Sequence, residues 1–289
     1  MATKAEIRRL TQAHRAEQSK RAARVAVKVA QSYSRVDPSN IGAVETWLLY
    51  AVPLIVRGSD EGGGLAAKFA SALRLLEVGK PLRFAPVAGS VEDQVRRSLS
   101  YLGPETYFDK VSKIGALDVP DQQRQALLRR AKEETVGPVA ASAVRHTLSS
   151  GRETLTSIPR QDPDAIGWVR VTSGKPCFFC AMLASRGPVY DYDSFADSDI
   201  RFSNGKGRSN VKVHDGDRCS LKPLYDAKTD PLVEDTEKFA DMWSRWGAGG
   251  SSSDTSSLNR FRRGYDHWAK TGEYLDWDVV NDTAAFRKR

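Results

Sequence analysis

The sequence predicts a mainly α protein with a small α+β, zinc-knuckle-like region in its second half. Three observations carry this. Apolar residues recur at helical spacing over most of residues 4–160. The pattern then changes to short β-branched runs, beginning at Trp168-Val169-Arg170-Val171. All three cysteines of the chain, Cys177, Cys180 and Cys219, fall in this second stretch together with His214. Four segments follow: a basic N-terminal helix (1–36), a helical body (37–160), a short-stranded Cys/His module (161–226) and a helical tail with a Gly/Ser linker (227–289).

Residues 4–35 read as one helix, because Ala and Arg are frequent and no Gly or Pro occurs before Pro38. Its apolar stripe (Ile7, Leu10, Ala22, Val25, Val29) is thin, and Arg8, Arg9, Arg15, Lys20, Arg21, Arg24 and Lys28 make it basic. The expectation is a docking helix, with a stripe too narrow to anchor a core. Residues 41–56 form a buried helix around Trp47, Leu48 and Ile55, kinked or restarted at Pro53. Residues 57–64, with Gly62-Gly63-Gly64, read as a loop that lacks the Lys-Ser/Thr of a phosphate-binding loop. Helix resumes over 65–78 and stops at Gly79.

An extended connection over 80–89 leads to Ser90-x-x-Asp93, a capping-box pattern that opens a helix through Leu102. Gly103-Pro104 ends it. Helices follow over 105–115, 120–134 and 139–150, the last two separated by Gly137-Pro138, with a further turn or two over 152–158. His146 on this stretch reads as a surface or satisfied core residue. In the module, 168–171, 189–190 and 211–213 read as short strands, 181–186 as a short helix stopped by Gly187-Pro188, and 201–210 as a basic loop. Asp191-Tyr192-Asp193 is no calcium loop, since Phe195 and Ala196 stand where a ligand and a glycine are needed. A helix over 228–246, a linker over 247–257 and an amphipathic helix over 258–270 complete the chain. The aromatic residues Phe261, Tyr265, Trp268, Tyr274 and Trp277 read there as packing or partner-docking groups.

Three thiols and an imidazole make a Cys3His set, a common closed zinc site. Cys177 and Cys180 are two residues apart at a helix start, where backbone amides help hold a thiolate anionic. His214 and Cys219 come from a second knuckle turned by Asp215-Gly216-Asp217, and either aspartate could replace one ligand. Structural zinc competes with a redox dithiol and with reduced, half-buried cysteines that bind nothing.

The stretch Trp168-Val169-Arg170-Val171, Pro176-Cys177, the run from Cys180 to Gly187, Tyr190 and the His214…Cys219 pair resembles the Mu F-like family of minor head proteins of tailed bacteriophages. It is most similar to the version in phages of actinobacteria. The family ends its motif with a histidine followed by Cys-x-Cys, whereas here the last of these positions is Leu221. The resemblance implies a minor head component of the virion, associated with the portal protein and other head proteins and acting in head morphogenesis.

The residues themselves show no catalytic constellation: no Gly-x-Ser-x-Gly, no His-Glu-x-x-His, and four candidate ligands where catalytic zinc keeps an open position. The formal net charge of +8 suits an anionic partner, so DNA at basic surfaces is a second partner to weigh, and a nucleic-acid-binding zinc protein the alternative function. A zinc-dependent hydrolase or nuclease is the weakest reading. The most apolar run, residues 47–56, is too short to span a membrane, and a charged N-terminus is no signal peptide. The expected location is the virion, at the capsid interior or portal vertex, after assembly in the host cytoplasm.

Overall fold

The computed structural model describes residues 3–172, 176–188, 219–248 and 255–281. The described chain is mainly helical, with one two-stranded antiparallel sheet. His214, the strands expected at 189–190 and 211–213 and the basic loop at 201–210 lie outside the described residues.

Helix α1 (Lys4–Ser34) opens with a capping box: Glu6 N donates to Thr3 Oγ1 at 3.2 Å, and Thr3 N donates to Glu6 Oε2 at 2.8 Å. The expectation that its stripe is too narrow to anchor a core does not hold. Ala22, Val29 and Tyr33 are fully buried among residues of the next helix, α2 (Ile41–Val78). The stripe is narrow because the helices approach closely. A Cβ at Gly58 of α2 would sit 3.0 Å from Val25 Cγ2 of α1.

The same fact corrects the loop expected over 57–64, which is the middle of α2. Gly62 and Gly63 are contact points between helices, and a Cβ at Gly63 would overlap the Ser150 hydroxyl. Pro53 also lies inside α2, exposed on its outer side, while Trp47, Leu48, Ala51 and Ile55 hold the helix from within. Packing here outweighs the backbone bond that proline removes. The stop at Gly79 is as expected: its φ is +77° and its N–H donates to Leu75 O at 3.1 Å. By length and composition α2 would pass for a membrane span. In this fold its apolar side is packed in two cores.

Helix α3 (Glu92–Ser100) is capped at Val91, where the N–H donates to Gln94 Oε1 at 3.3 Å, one residue later than expected. Ser90 is engaged elsewhere, as shown below. Gly103-Pro104 does not end the helix. A π turn, Tyr101–Glu105, carries it into α4 (Thr106–Gly115). Helix α5 (Asp121–Thr147) likewise runs through Gly137-Pro138, and α6 (Ser149–Gln161) follows after one residue. The extended strap over 80–91 is tied to α6 by hydroxyls. Val87 N donates to Thr154 Oγ1 at 2.9 Å, Ser150 Oγ to Val87 O at 2.5 Å and Ser90 N to Ser149 Oγ at 2.8 Å. A strap outside any sheet meets its hydrogen-bonding needs this way.

Strand β1 (Gly167–Val171) pairs with β2 (Ser220–Leu224) from Gly167↔Leu224 to Val171↔Ser220. The second strand lies outside the strands expected from the sequence, and it carries Pro223. A two-stranded sheet has only edges, where a proline is tolerated. Helices α7 (Phe178–Ala184), α8 (Pro231–Trp246), α9 (Thr255–Thr271) and α10 (Trp277–Asn281) complete the described chain. Helix α7 starts three residues before the expected 181.

Three apolar clusters hold these elements. The first joins α1, α2, α3 and α5 through Val29, Tyr33, Leu48, Ile55, Leu99 and Val139. The second centres on Trp168 and joins Ile7, Phe69, Leu73, Phe84, Leu155, Leu221 and Leu232, so that both strands share a core with the long helices. The third joins Ala181 and Met182 of α7 to Phe239, Met242 and Trp246 of α8, Phe261 and Tyr265 of α9, and Val280 of α10.

Candidate functional site

Cys177 is the N-cap of α7, and its Sγ accepts from Cys180 N at 3.4 Å. The two-residue spacing therefore puts one thiol at the cap and one in the first turn, as a helix start dictates. Cys177 is exposed, whereas Cys180 and Cys219 are buried. None of the three is in a disulfide. Cys219 directly precedes β2, and its carbonyl accepts from Arg152 Nη2 at 3.4 Å.

Tyr265 of α9 joins these elements. Its hydroxyl donates to Pro176 O, the carbonyl before Cys177, at 2.6 Å. Burial pushes its phenol pKa up, and negative charge at Cys177, Cys180, Asp266 and Cys219 pushes it further. The three thiols thus lie within electrostatic reach of one buried phenol. They do not close a site by themselves: among the described residues no three His, Cys, Asp or Glu side chains converge to hold a metal ion. The fourth expected ligand, His214, lies outside the described residues, as do Asp215 and Asp217. Sequence reasoning took Tyr265 for a packing or partner-docking group. Its helical spacing gave no sign of the bond to Pro176.

Beside the sheet is a buried charge network that no motif announced. The Lys222 ammonium, fully buried on β2, pairs with Glu77 Oε1 at 2.7 Å and with the Asp230 carboxylate, and donates to Pro223 O at 3.1 Å. Burial pushes the Glu77 carboxyl up, and Lys222 opposes that shift. Next to it, Arg74 donates to Asp162 Oδ2 and Asp164 Oδ2, both at 2.7 Å, and Tyr225 donates to Asp162 Oδ2 at 3.2 Å. Burial raises the Tyr225 phenol, and Asp162 raises it further. A cavity of about 370 Å³ opens against this network, lined by Glu77, Asp164, Tyr225, Asp226 and Asp230 among others. Glu77 and Asp230 are held by Lys222 and Asp164 by Arg74.

His146 sits 2.7 Å from Ser90 Oγ through Nδ1 and 3.1 Å from Arg145 Nη2 through Nε2. A guanidinium cannot accept, so Nε2 is the acceptor and Nδ1 carries the proton. The imidazole therefore donates to Ser90 and cannot take that serine's proton. Burial and the Arg145 charge lower its pKa to about 3, which keeps it neutral. The expectation of a satisfied core histidine holds. His14, stacked on Phe69 with ring centres 4.2 Å apart, is also buried neutral, at about 4.

A family model described as VG15 protein matches residues 1–246, which takes in α1 to α8 and both strands. VG15 is a viral, phage gene family, so the protein is phage-derived. No curated protein and no solved structure matches the chain.

Proposed function

The chain belongs to the VG15 family, and from that premise we propose that it is a structural minor head protein of a tailed phage, associated with the portal and acting in head morphogenesis. The match over residues 1–246 is the observation that carries this reading, because it spans the helical body and the cysteine region as one unit. The family points to a virion-associated protein. The likeness of residues 168–219 to Mu F-like proteins supplies the finer assignment. The wiring of His146 supports a structural rather than catalytic role.

In this reading Cys177, Cys180, His214 and Cys219 hold one zinc ion, which would tie the start of α7 to the start of β2. The position of Cys177 at the N-cap of α7, with Cys180 in its first turn, supports it for that half of the set. Bound zinc would add its binding free energy to the folded state.

DNA is the weaker partner. The +8 charge favours it, yet Lys4 and Arg8 pair with Glu234 and Asp235, Arg21 pairs with Glu61, and Arg24 with Glu17. Mass spectrometry of purified particles, with cross-linking to the portal protein, tests the assignment. The expected result is a low-copy head component cross-linked to the portal and carrying about one zinc per chain. Absence from particles would overturn the virion reading, and metal-free reduced protein would overturn the zinc site.

A further inference from the structure

We infer that the outer face of the second half of α1, from Lys20 to Arg35, seats double-stranded DNA through its phosphates, without reading its bases. The inference sharpens the weaker of the two partners named above. It rests on the geometry of α1 alone, and neither the zinc nor the portal reading enters it. From Gln18 to Val36 the chain carries Lys20, Arg21, Arg24, Lys28 and Arg35, and no Asp or Glu. Ala22, Val25, Ala26, Val29 and Tyr33 are buried in the first apolar cluster, which fixes the rotation of the helix. At about 100° per residue, Lys20, Arg24, Lys28 and Arg35 then fall within an arc of roughly 80° on the side away from that cluster. All four are exposed. Arg35 is the C-cap, and its helical backbone continues the line.

This face is a row of cations and little else. Its four charges span roughly 22 Å, with Lys20, Arg24 and Lys28 about 6 Å apart along the axis. Among the described residues the ion pairs of this half are Arg21 with Glu61 and Arg24 with Glu17, and Lys20, Lys28 and Arg35 enter none. The Arg24–Glu17 pair is long, at 3.5 Å, and its side chains are 62% and 43% exposed. Such a surface pair is weak, so Arg24 can turn to a phosphate. The other exposed side chains of this half are Val27, Gln31 and Ser34. A protein-binding face is built on apolar and aromatic anchors, and Val27 by itself is a poor one. A duplex carries one phosphate charge per about 1.7 Å of axis and needs no such anchor. An unbroken row of one sign therefore fits DNA better than it fits an acidic protein.

Fluorescence anisotropy of the full chain with a short duplex of arbitrary sequence tests this. Four phosphate contacts predict an affinity that falls roughly a hundredfold between about 50 and about 200 mM salt. Lys20→Gln with Lys28→Gln keeps helix propensity and removes two contacts, so the fall should shrink to roughly tenfold, with weaker binding at the low-salt end. Lys68→Gln with Lys80→Gln removes the same charge from two exposed lysines elsewhere and should keep the wild-type salt dependence. No binding by the wild-type chain at low salt overturns the inference. So does a Lys20/Lys28 variant with wild-type affinity and slope, or an equal effect of the two double variants. Polyglutamate that displaces the duplex at equal charge concentration would hand the face to an acidic protein and overturn the DNA assignment. None of these results bears on particle composition, so the virion reading and this inference can fail separately.

Discussion

Replacing Lys222 by Met removes an ammonium that is fully buried while keeping most of its length and volume. Its partners Glu77 and Asp230 have side chains only 9% and 1% exposed, so water cannot take over the role of the ammonium. Removing one member of a buried ion pair typically costs roughly 3–5 kcal/mol, because a charge is left uncompensated. For a chain of this size that is a fall in melting temperature of roughly 10 °C. The pH dependence follows from Glu77. Its pKa is raised in the fold by burial, and Lys222 is the largest opposing influence. Without Lys222 it rises further. A carboxyl with a raised folded pKa favours the fold when protonated, so stability is regained as pH falls through that pKa towards the ordinary 4.5. The deficit of Lys222→Met should be largest near neutral pH and should shrink on acidification. Urea unfolding at two pH values measures it. Adding Glu77→Leu and Asp230→Asn should restore most of the loss, since Asn can still cap α8, where Asp230 now accepts from Leu232 N at 2.8 Å. A neutral-pH deficit below about 1 kcal/mol, or one that grows in acid, would refute the reasoning.

Two further outcomes are expected. His14 and His146 have pKa values lowered from 6.5 to about 4 and about 3, so the unfolded chain takes up protons that the fold refuses. Stability should be flat above about pH 6.5 and fall below it by about 1.4 kcal/mol per unit for each histidine, down to about pH 4. His14→Phe should roughly halve that slope, and an unchanged slope in denaturant titrations would count against it. Gly63→Ala forces a methyl onto Ser150 and should cost roughly 1–3 kcal/mol. Ser150→Ala in the same protein should recover part of this, and strictly additive losses in thermal melts would remove the steric explanation.

The helical class, the stop at Gly79 and β1 were legible in the sequence, because each has a local cause, whereas α8 starts at Pro231, three residues after the expected 228. Gly79 adopts a left-handed conformation suited to glycine. Asp230 caps α8 and Pro231 occupies its first turn. The errors share another cause. Gly62-Gly63-Gly64, Gly103-Pro104 and Gly137-Pro138 read as breaks, and all three lie inside helical runs. Local propensity asks what a residue does to an isolated helix. Here Gly62, Gly63 and Gly103 meet a neighbouring helix, and what they permit is visible only in three dimensions. Strand β2 was hidden for the same reason, since Lys222 and Pro223 belong in a strand only when Glu77 and Asp230 are brought beside them. At the site, the thiols and their spacing were legible and Tyr265 was not, because a hydrogen bond to a carbonyl far away in sequence leaves no pattern.

The two halves of the cysteine region are held by different physics. Strand β2, which follows Cys219, is fixed by Lys222 and by the apolar cluster around Trp168, both shared with α2. The Cys177–Cys180 turn is fixed by α8 and by the Tyr265 and Arg262 contacts of α9. Each half therefore has support that does not depend on a metal. A metal that bridged Cys177 and Cys180 to Cys219 would join the side of the molecule built on α2 to the side built on α9. Its main structural effect would be on the relation between these two sides rather than on either alone. Cys219 takes its place in the fold when β2 pairs with β1.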